Sequence, residues 1–98
     1  MNIRIQSVQF DASEQLLGFV EKKVAKLERL FDGITSAKVF LHVVKPETSE
    51  NKEVGIRLYV PGDELYASKI ADSFEQAVDE SVVALERQLA KYKERLRG

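Results

Sequence analysis

Two segments of the chain carry apolar residues along a single helical stripe, and this feature constrains the fold more than any other. The stripes are Leu16, Leu17, Val20, Val24, Leu27 and Phe31 in the first segment, and Phe74, Val78, Val82, Leu85, Leu89, Tyr92 and Leu96 in the second. A helix with one apolar stripe is stable only when another element covers that stripe. The rest of the chain must therefore supply a surface for both helices.

Four segments of alternating apolar and polar residues predict the strands of that surface. They span residues 2–10, 37–45, 53–60 and 64–71. The apolar parity changes within the first strand, which predicts a bend or bulge near Ser7. The short polar loop at residues 46–51 predicts an antiparallel hairpin between the second and third strands. Pro61-Gly62 is typical of a type II turn before the fourth strand.

The helices have recognisable ends. Asp11 with Glu14, and Asp72 with Glu75, repeat an Asp-x-x-Glu pattern in which the aspartate side chain accepts hydrogen bonds from the free amides of the first turn. Gly33 follows the first stripe and suits a left-handed residue after the helix. We therefore expect Asp11 and Asp72 to be N-caps and Gly33 to end the first helix.

The element order β-α-β-β-β-α predicts an α+β fold. We expect a single two-layer domain over residues 1–98, with both helices on one face of a four-stranded sheet. A chain of 98 residues can bury a core without a disulfide or metal, and its lack of Cys excludes thiol chemistry. No apolar run approaches the roughly 20 residues of a membrane span. No secretory signal is recognisable, so we expect a cytoplasmic protein.

Residues for catalysis are sparse. His42 is the only histidine, and it lies in a predicted strand without a Ser or Cys nucleophile at an informative spacing. The glycines form no phosphate-binding loop. The sequence has no cluster of metal-ligand residues. We interpret the chain as a binding protein, not an enzyme, with no cofactor, no metal and no small-molecule substrate.

The charges are unevenly distributed although the net charge is only −1. Helical periodicity groups basic residues beside the apolar stripes, and the last turns of the second helix are basic nearly all round. The candidate RNA-binding residues are Lys22, Lys23, Lys26, Arg29, Arg87, Lys91, Lys93, Arg95 and Arg97. Several cations on one face favour a polyanion such as RNA. Solvated helix faces, with bases late in a helix to suit its dipole, are the alternative.

The outer face of the sheet offers a second candidate site. Phe40, His42, Arg57 and Tyr59 alternate outward on the two central strands, and Tyr66 is placed to join them. Aromatic rings with a guanidinium can stack single-stranded bases. Ordinary cross-strand packing and a dimer contact explain the same pattern.

Three stretches together resemble the ribosome hibernation-promoting factor family, also described as ribosome-associated translation inhibitors. They are Phe19-Val20-x-x-Lys23-x-x-Lys26-Leu27-Glu28-x-x-Phe31-Asp32; Val39-x-Leu41-x-Val43 with Glu64-Leu65-x-Ala67; and Ala77-Val78-Asp79 leading to Leu85-Glu86-Arg87-Gln88-Leu89-x-Lys91-x-Lys93. The resemblance covers essentially the whole chain. The Arg-Gln-Leu-x-Lys-x-Lys ending, combined with Lys-x-x-Lys-Leu-Glu, is its most specific part.

The resemblance implies a fold akin to the double-stranded RNA-binding domain. It implies binding to the small ribosomal subunit and its rRNA, in the channel for messenger and transfer RNA, so that idle ribosomes are silenced under stress. The RNA-contacting cations of the family correspond to Lys23, Lys26, Arg87, Lys91 and Lys93. Arg95 and Arg97 continue that run, whereas Lys22 and Arg29 are added from helical periodicity.

The resemblance also leaves two alternatives open. The long-form members carry an extra C-terminal dimerisation domain that has no counterpart here, so the short form either needs a separate partner to pair ribosomes or silences single ones. We expect a monomer when the protein is free. A protein–protein interaction domain of the same fold, without ribosome binding, is the alternative function.

Overall fold

The computed structural model describes residues 1–45 and 47–97, and its elements follow the predicted order. The strands are β1 (Asn2–Val8), β2 (Ser36–Val43), β3 (Lys52–Val60) and β4 (Asp63–Ala71). The helices are α1 (Glu14–Ala25), followed directly by a 3-10 helix (Lys26–Arg29), and α2 (Phe74–Arg97). The predicted α+β fold is confirmed. Within the predicted loop at 46–51, Pro46 lies outside the described residues.

The four strands form one sheet in the order β1-β2-β3-β4. β1 runs parallel to β2, and the other two pairs are antiparallel. Parallel neighbours need a crossover connection, and α1 supplies it. The predicted hairpin between β2 and β3 is confirmed. Gly62 has a φ of 77°, as the third position of a type II turn requires, and the turn joins β3 to β4.

The core lies between one face of the sheet and the two helices. Its largest fully buried apolar residues come from both layers: Val20, Val24, Leu27, Leu41, Val54, Ile56, Leu58, Val78, Leu85 and Leu89. Two ring contacts tie distant segments to this core. Phe10 stacks on Phe74 with centroids 5.1 Å apart, and Phe31 meets Tyr92 edge-on at 5.3 Å. These contacts hold the segments before and after the first helix against α2.

The predicted cap of α1 is wrong by two positions. Ser13, not Asp11, is the N-cap: its hydroxyl accepts a hydrogen bond from the amide of Leu16 at 3.1 Å. The cap is the residue directly before the first helical residue, and it has extended φ and ψ angles. Because α1 begins at Glu14, Asp11 lies too early to serve the free amides.

The predicted cap of α2 is wrong by one position. The Ser73 hydroxyl accepts a hydrogen bond from the amide of Gln76 at 3.1 Å. Asp72 has a different role: its carboxylate accepts a hydrogen bond from the amide of Glu50 at 2.8 Å. Asp72 therefore ties the loop before β3 to the start of α2, while serine caps the helix.

The first helix ends differently from the prediction. The α-helical part stops at Ala25, and the 3-10 turn carries Leu27 into the core. Gly33 does not have a positive φ. A Cβ at Gly33 would come within 2.6 Å of the Phe31 ring, so glycine provides space there and not a left-handed turn.

Two further expectations are corrected. The register of β1 and β2 is continuous from Asn2 to Val8, so no bulge occurs near Ser7. The chain instead turns at Gln9, which has a φ of 63°, and the strand ends before Phe10. Leu96 is 60% exposed although it fits the stripe of α2, so the last turn of the helix is not part of the core.

Candidate nucleic-acid interface

The position of α2 on the sheet fixes where its basic residues lie. Gln88 donates a side-chain hydrogen bond to the carbonyl of Tyr66 at 2.7 Å, and the Tyr92 hydroxyl donates to the carbonyl of Pro61 at 2.6 Å. Leu85 and Leu89 of the same helix are fully buried. One side of the helix is thus held against β3 and β4, and the opposite side faces solvent.

Three candidate residues follow the flank of α2 that lies towards β4. Arg87, Lys91 and Arg95 are spaced four residues apart and are exposed. Arg95 bonds the carboxylate of Asp63 at 3.3 Å, and its guanidinium lies 5.9 Å from the ring centroid of Tyr92. Arg87 and Lys91 have no carboxylate within 4 Å among residues 1–45 and 47–97.

The other flank of α2 faces α1 across a shallow groove. Lys23 of α1 and Lys26 of the 3-10 helix line one side of this groove, and Asp79 and Glu86 of α2 line the other. The Lys23 ammonium forms an ion pair with Asp79 at 3.1 Å and lies 5.4 Å from the ring centroid of Phe19. The groove therefore combines two cations with two carboxylates.

Four candidates remain to be placed. Lys22 and Arg29 are exposed on α1 and on its 3-10 extension. Lys93 is half-buried and Arg97 exposed, and helical periodicity places both on the same flank as Glu86. Arg87, Lys91 and Arg95 thus lie on one side of the exposed ridge of α2, where Val83 is 46% exposed, and Lys23, Lys26, Lys93 and Arg97 lie on the other.

One cation near this surface was missed by sequence reasoning. Lys69 of β4 is exposed and lines a depression together with Arg87, between two acidic residues of α2, Asp79 and Glu80. In the sequence it is the single base in a long acidic stretch. Only the packing of α2 on β4 brings it beside Arg87, so no local pattern could have identified it.

The outer sheet face brings together the residues predicted for it. The Phe40 ring and the Tyr66 hydroxyl both lie against Gly55, where a Cβ would overlap them. The Arg57 guanidinium lies 5.2 Å from the ring centroid of Tyr66 and forms an ion pair with the Glu64 carboxylate at 2.9 Å. This geometry shows cross-strand packing, and it leaves Tyr66 42% exposed.

His42 lies beside a carboxylate on that face, with its Nδ1 3.6 Å from Glu53. Within the described ranges, no group of three or more His, Cys, Asp or Glu is placed to hold a metal ion. No helix in the same ranges is long and apolar enough to cross a membrane.

Comparison with known proteins decides the family. The family model described as sigma 54 modulation protein / S30EA ribosomal protein matches residues 3–97. The chain belongs to this family. The resemblance to hibernation-promoting factors that the sequence indicated is confirmed by relatives that carry that name.

Two such relatives show how far the similarity extends. The ribosome hibernation promoting factor of Azotobacter vinelandii is 35% identical over 95 residues, which cover 97% of this chain and 85% of the relative. The ribosome hibernation promoting factor of Escherichia coli strain K12 is 34% identical over 97 residues, which cover 99% of this chain and 98% of the relative.

Solved structures of family members have the same fold. A ribosomal subunit interface protein from Coxiella burnetii superposes with a TM-score of 0.86 at 29% identity, covering 96% of this chain and 99% of that one. The N-terminal domain of Protein Y from Thermus thermophilus superposes with a TM-score of 0.81 at 26% identity. The match covers 94% of this chain and 99% of that domain.

Proposed function

We propose that this protein is a ribosome hibernation factor, a binding protein and not an enzyme. Residues 1–98 act as one domain that binds the small ribosomal subunit and its rRNA through the exposed cations of α1 and α2. The names of its relatives, ribosome hibernation promoting factor and ribosomal subunit interface protein, are the reason to choose the ribosome among polyanions. The protein acts in the cytoplasm, where its partner is found, and is a monomer when free.

The observation that carries this proposal is the lack of carboxylate partners around most of the predicted cations. Of the nine predicted cations, only Lys23 and Arg95 form ion pairs within the described part of the chain, which leaves seven without an acid within 4 Å. A cation without an internal partner binds a phosphate without first breaking an ion pair. Arg87 and Lys91 are the strongest candidates because both are exposed, and because the hydrogen bond of Gln88 anchors this part of the helix to the sheet.

The proposed mechanism is occlusion. The protein measures about 48 × 23 × 18 Å, and its longest helix presents cations along several turns. Each cation that neutralises a phosphate releases a counterion, so several contacts hold the protein in an rRNA-lined channel without reading bases. An occupied channel does not accept messenger or transfer RNA, and initiation is prevented without any chemical step.

Co-sedimentation with purified small subunits tests this proposal. The wild-type protein should pellet with the subunits at low salt and remain in the supernatant at high salt. The double variant Arg87→Glu/Lys91→Glu should remain in the supernatant at both. The control is Lys45→Glu, a charge reversal at an exposed cation away from α1 and α2, which should pellet like the wild type.

Two results would contradict the proposal. Pelleting of the helix variant at low salt would show that these cations do not hold the subunit. Equal loss in both variants would show that only total charge matters. Circular dichroism of both variants excludes unfolding as the reason for a loss.

A protein–protein interaction domain of the same fold is the second candidate. The observation in its favour is the half-exposed aromatic cluster on the outer sheet face, including Phe40 and Tyr66. An apolar contact is insensitive to salt, whereas phosphate contacts weaken steeply as salt rises. Ribosome binding that persists at high salt would favour this second function.

A further inference from the structure

The strand register places three cations in one row across the outer face of the sheet. Arg4 of β1 is opposite Lys38 of β2, and Lys38 is opposite Arg57 of β3. All three are exposed. Neighbouring strands lie about 4.8 Å apart, so the row is a compact line of positive charge on the face away from the helices. None of these residues belongs to the helical surface proposed above.

Aromatic rings border this row on both sides. The Lys38 ammonium lies 5.6 Å from the ring centroid of Tyr59, and the Arg57 guanidinium lies 5.2 Å from that of Tyr66. Phe40 lies on the other side of the row, and its ring covers the backbone of Gly55. The rings are held in place by their neighbours, which lowers the entropy cost of stacking a ligand on them.

A depression large enough for a small polar ligand lies at the β1 end of the row, which is an edge of the sheet. It has a volume of about 360 Å³ and is lined by Arg4, Gln6 and Lys38, with Ile5 and Val39 between them. Arg4 and Lys38 have no carboxylate within 4 Å in the described part of the chain. Arg57, in contrast, is already paired with Glu64 at 2.9 Å. Positive charge is therefore least compensated at this depression.

We propose that the outer face of the sheet is a second RNA-binding surface, which takes single-stranded RNA. Phosphates lie on Arg4 and Lys38, and a base stacks near Tyr66, where Arg57 extends the aromatic surface. Binding combines an electrostatic groove with a stacking platform, as is usual for single-strand recognition without sequence preference. With helices and sheet both occupied, the protein would contact RNA on two opposite faces.

Single-stranded RNA fits this face better than other occupants. An acidic peptide would use the cations but gives no role to the rings beside them. A second copy related by a two-fold axis would bring the row of Arg4, Lys38 and Arg57 close to its own symmetry mate, and like charges in contact are unfavourable. Of these three occupants, only RNA supplies both negative charge and planar rings at a short repeat.

Fluorescence anisotropy with a labelled oligouridylate tests the proposal without ribosomes. The wild type should bind at low salt, with a slope of log affinity against log salt of about −1.4 to −2, as expected for two or three phosphate contacts. Arg4→Glu/Lys38→Glu should weaken binding by about tenfold or more. Tyr66→Leu should weaken it by about fivefold or more through lost stacking.

Lys45→Glu, a charge reversal at an exposed cation outside both surfaces, is the control and should bind the oligouridylate within about twofold of the wild type. The helix variant Arg87→Glu/Lys91→Glu should lose less affinity for the oligouridylate than Arg4→Glu/Lys38→Glu, and more affinity for the small subunit, so the two proposals fail separately. No binding by the wild type, or equal losses in the two double variants, would overturn the second surface.

Two further measurements separate the other occupants. Polyglutamate that displaces the oligouridylate at equal charge concentration would assign the face to acidic chains in general and overturn the proposal. Dimerisation in sedimentation equilibrium that Arg4→Glu/Lys38→Glu abolishes would assign it to a second copy. A monomer that prefers the oligouridylate to polyglutamate supports single-stranded RNA.

Discussion

Lys23 of α1 and Asp79 of α2 form an ion pair across the groove between the helices, with 3.1 Å between Nζ and Oδ1. The pair joins a predicted RNA-binding cation to an acid on the neighbouring helix. Both side chains retain solvent access, with 29% of Lys23 and 50% of Asp79 exposed. If this flank binds RNA as proposed, phosphate and Asp79 compete for the same ammonium group, and Asp79 lowers the RNA affinity.

Removing that competitor should strengthen ribosome binding. Asp79→Asn frees Lys23 and should tighten binding to small subunits by up to about fivefold at low salt, since exposed ion pairs are worth roughly 0–1 kcal/mol. The matched control is Glu75→Gln, which removes an exposed acid from the first turn of the same helix. Equal tightening by both variants, or weaker binding by Asp79→Asn, would show that the pair does not limit affinity.

The salt dependence of binding counts the phosphate contacts on α2. The double variant Arg87→Gln/Lys91→Gln should make the slope of log affinity against log salt shallower by about 2. Each lost phosphate contact changes this slope by roughly 1. Lys45→Gln, an exposed cation outside both proposed surfaces, is the control for a general charge effect. An unchanged slope in the double variant would place the phosphates elsewhere.

The cap of α1 can be tested by stability. Ser13→Ala removes the hydrogen bond to the amide of Leu16 and should lower the free energy of unfolding by about 1 kcal/mol, or the melting temperature by about 4–8 °C. Asp11→Ala should change the free energy of unfolding by less than about 0.5 kcal/mol. A larger loss from Asp11→Ala than from Ser13→Ala would restore the cap that the sequence pattern predicted.

The stripe of α2 gives a second stability test. Leu89 is fully buried and Leu96 is 60% exposed. Leu89→Ala should lower the free energy of unfolding by about 2–5 kcal/mol, whereas Leu96→Ala should cost less than about 0.5 kcal/mol. Urea unfolding measures both. A large loss at Leu96 would mean that the last turn of α2 packs against a surface.

Periodicity was sufficient to predict the architecture. The stripes that include Val24 and Leu85 gave the helices, and the alternation through Val39 and Ile56 gave the central strands, because burial on one face leaves a period that is readable in sequence. The predicted cap positions were wrong because Asp11 and Ser13 are both good caps. Tertiary packing, which no local pattern records, decides where the helix starts.

The candidate site was predictable only in part. Helical periodicity placed Arg87, Lys91 and Arg95 on one flank, because positions on a helix follow from sequence spacing alone. The pairing of Lys23 with Asp79 depends on the docking of two helices. The row of Arg4, Lys38 and Arg57 depends on the register of three strands, which includes one parallel pair joined across a helix.

The central claim is that the protein occupies the channel for messenger and transfer RNA on the small subunit. Binding of labelled messenger RNA to small subunits, measured with increasing amounts of the protein, tests it most directly. We predict mutual exclusion: the protein displaces the messenger, and Arg87→Glu/Lys91→Glu does not. Small subunits that carry the protein and the messenger together at full occupancy would contradict the account.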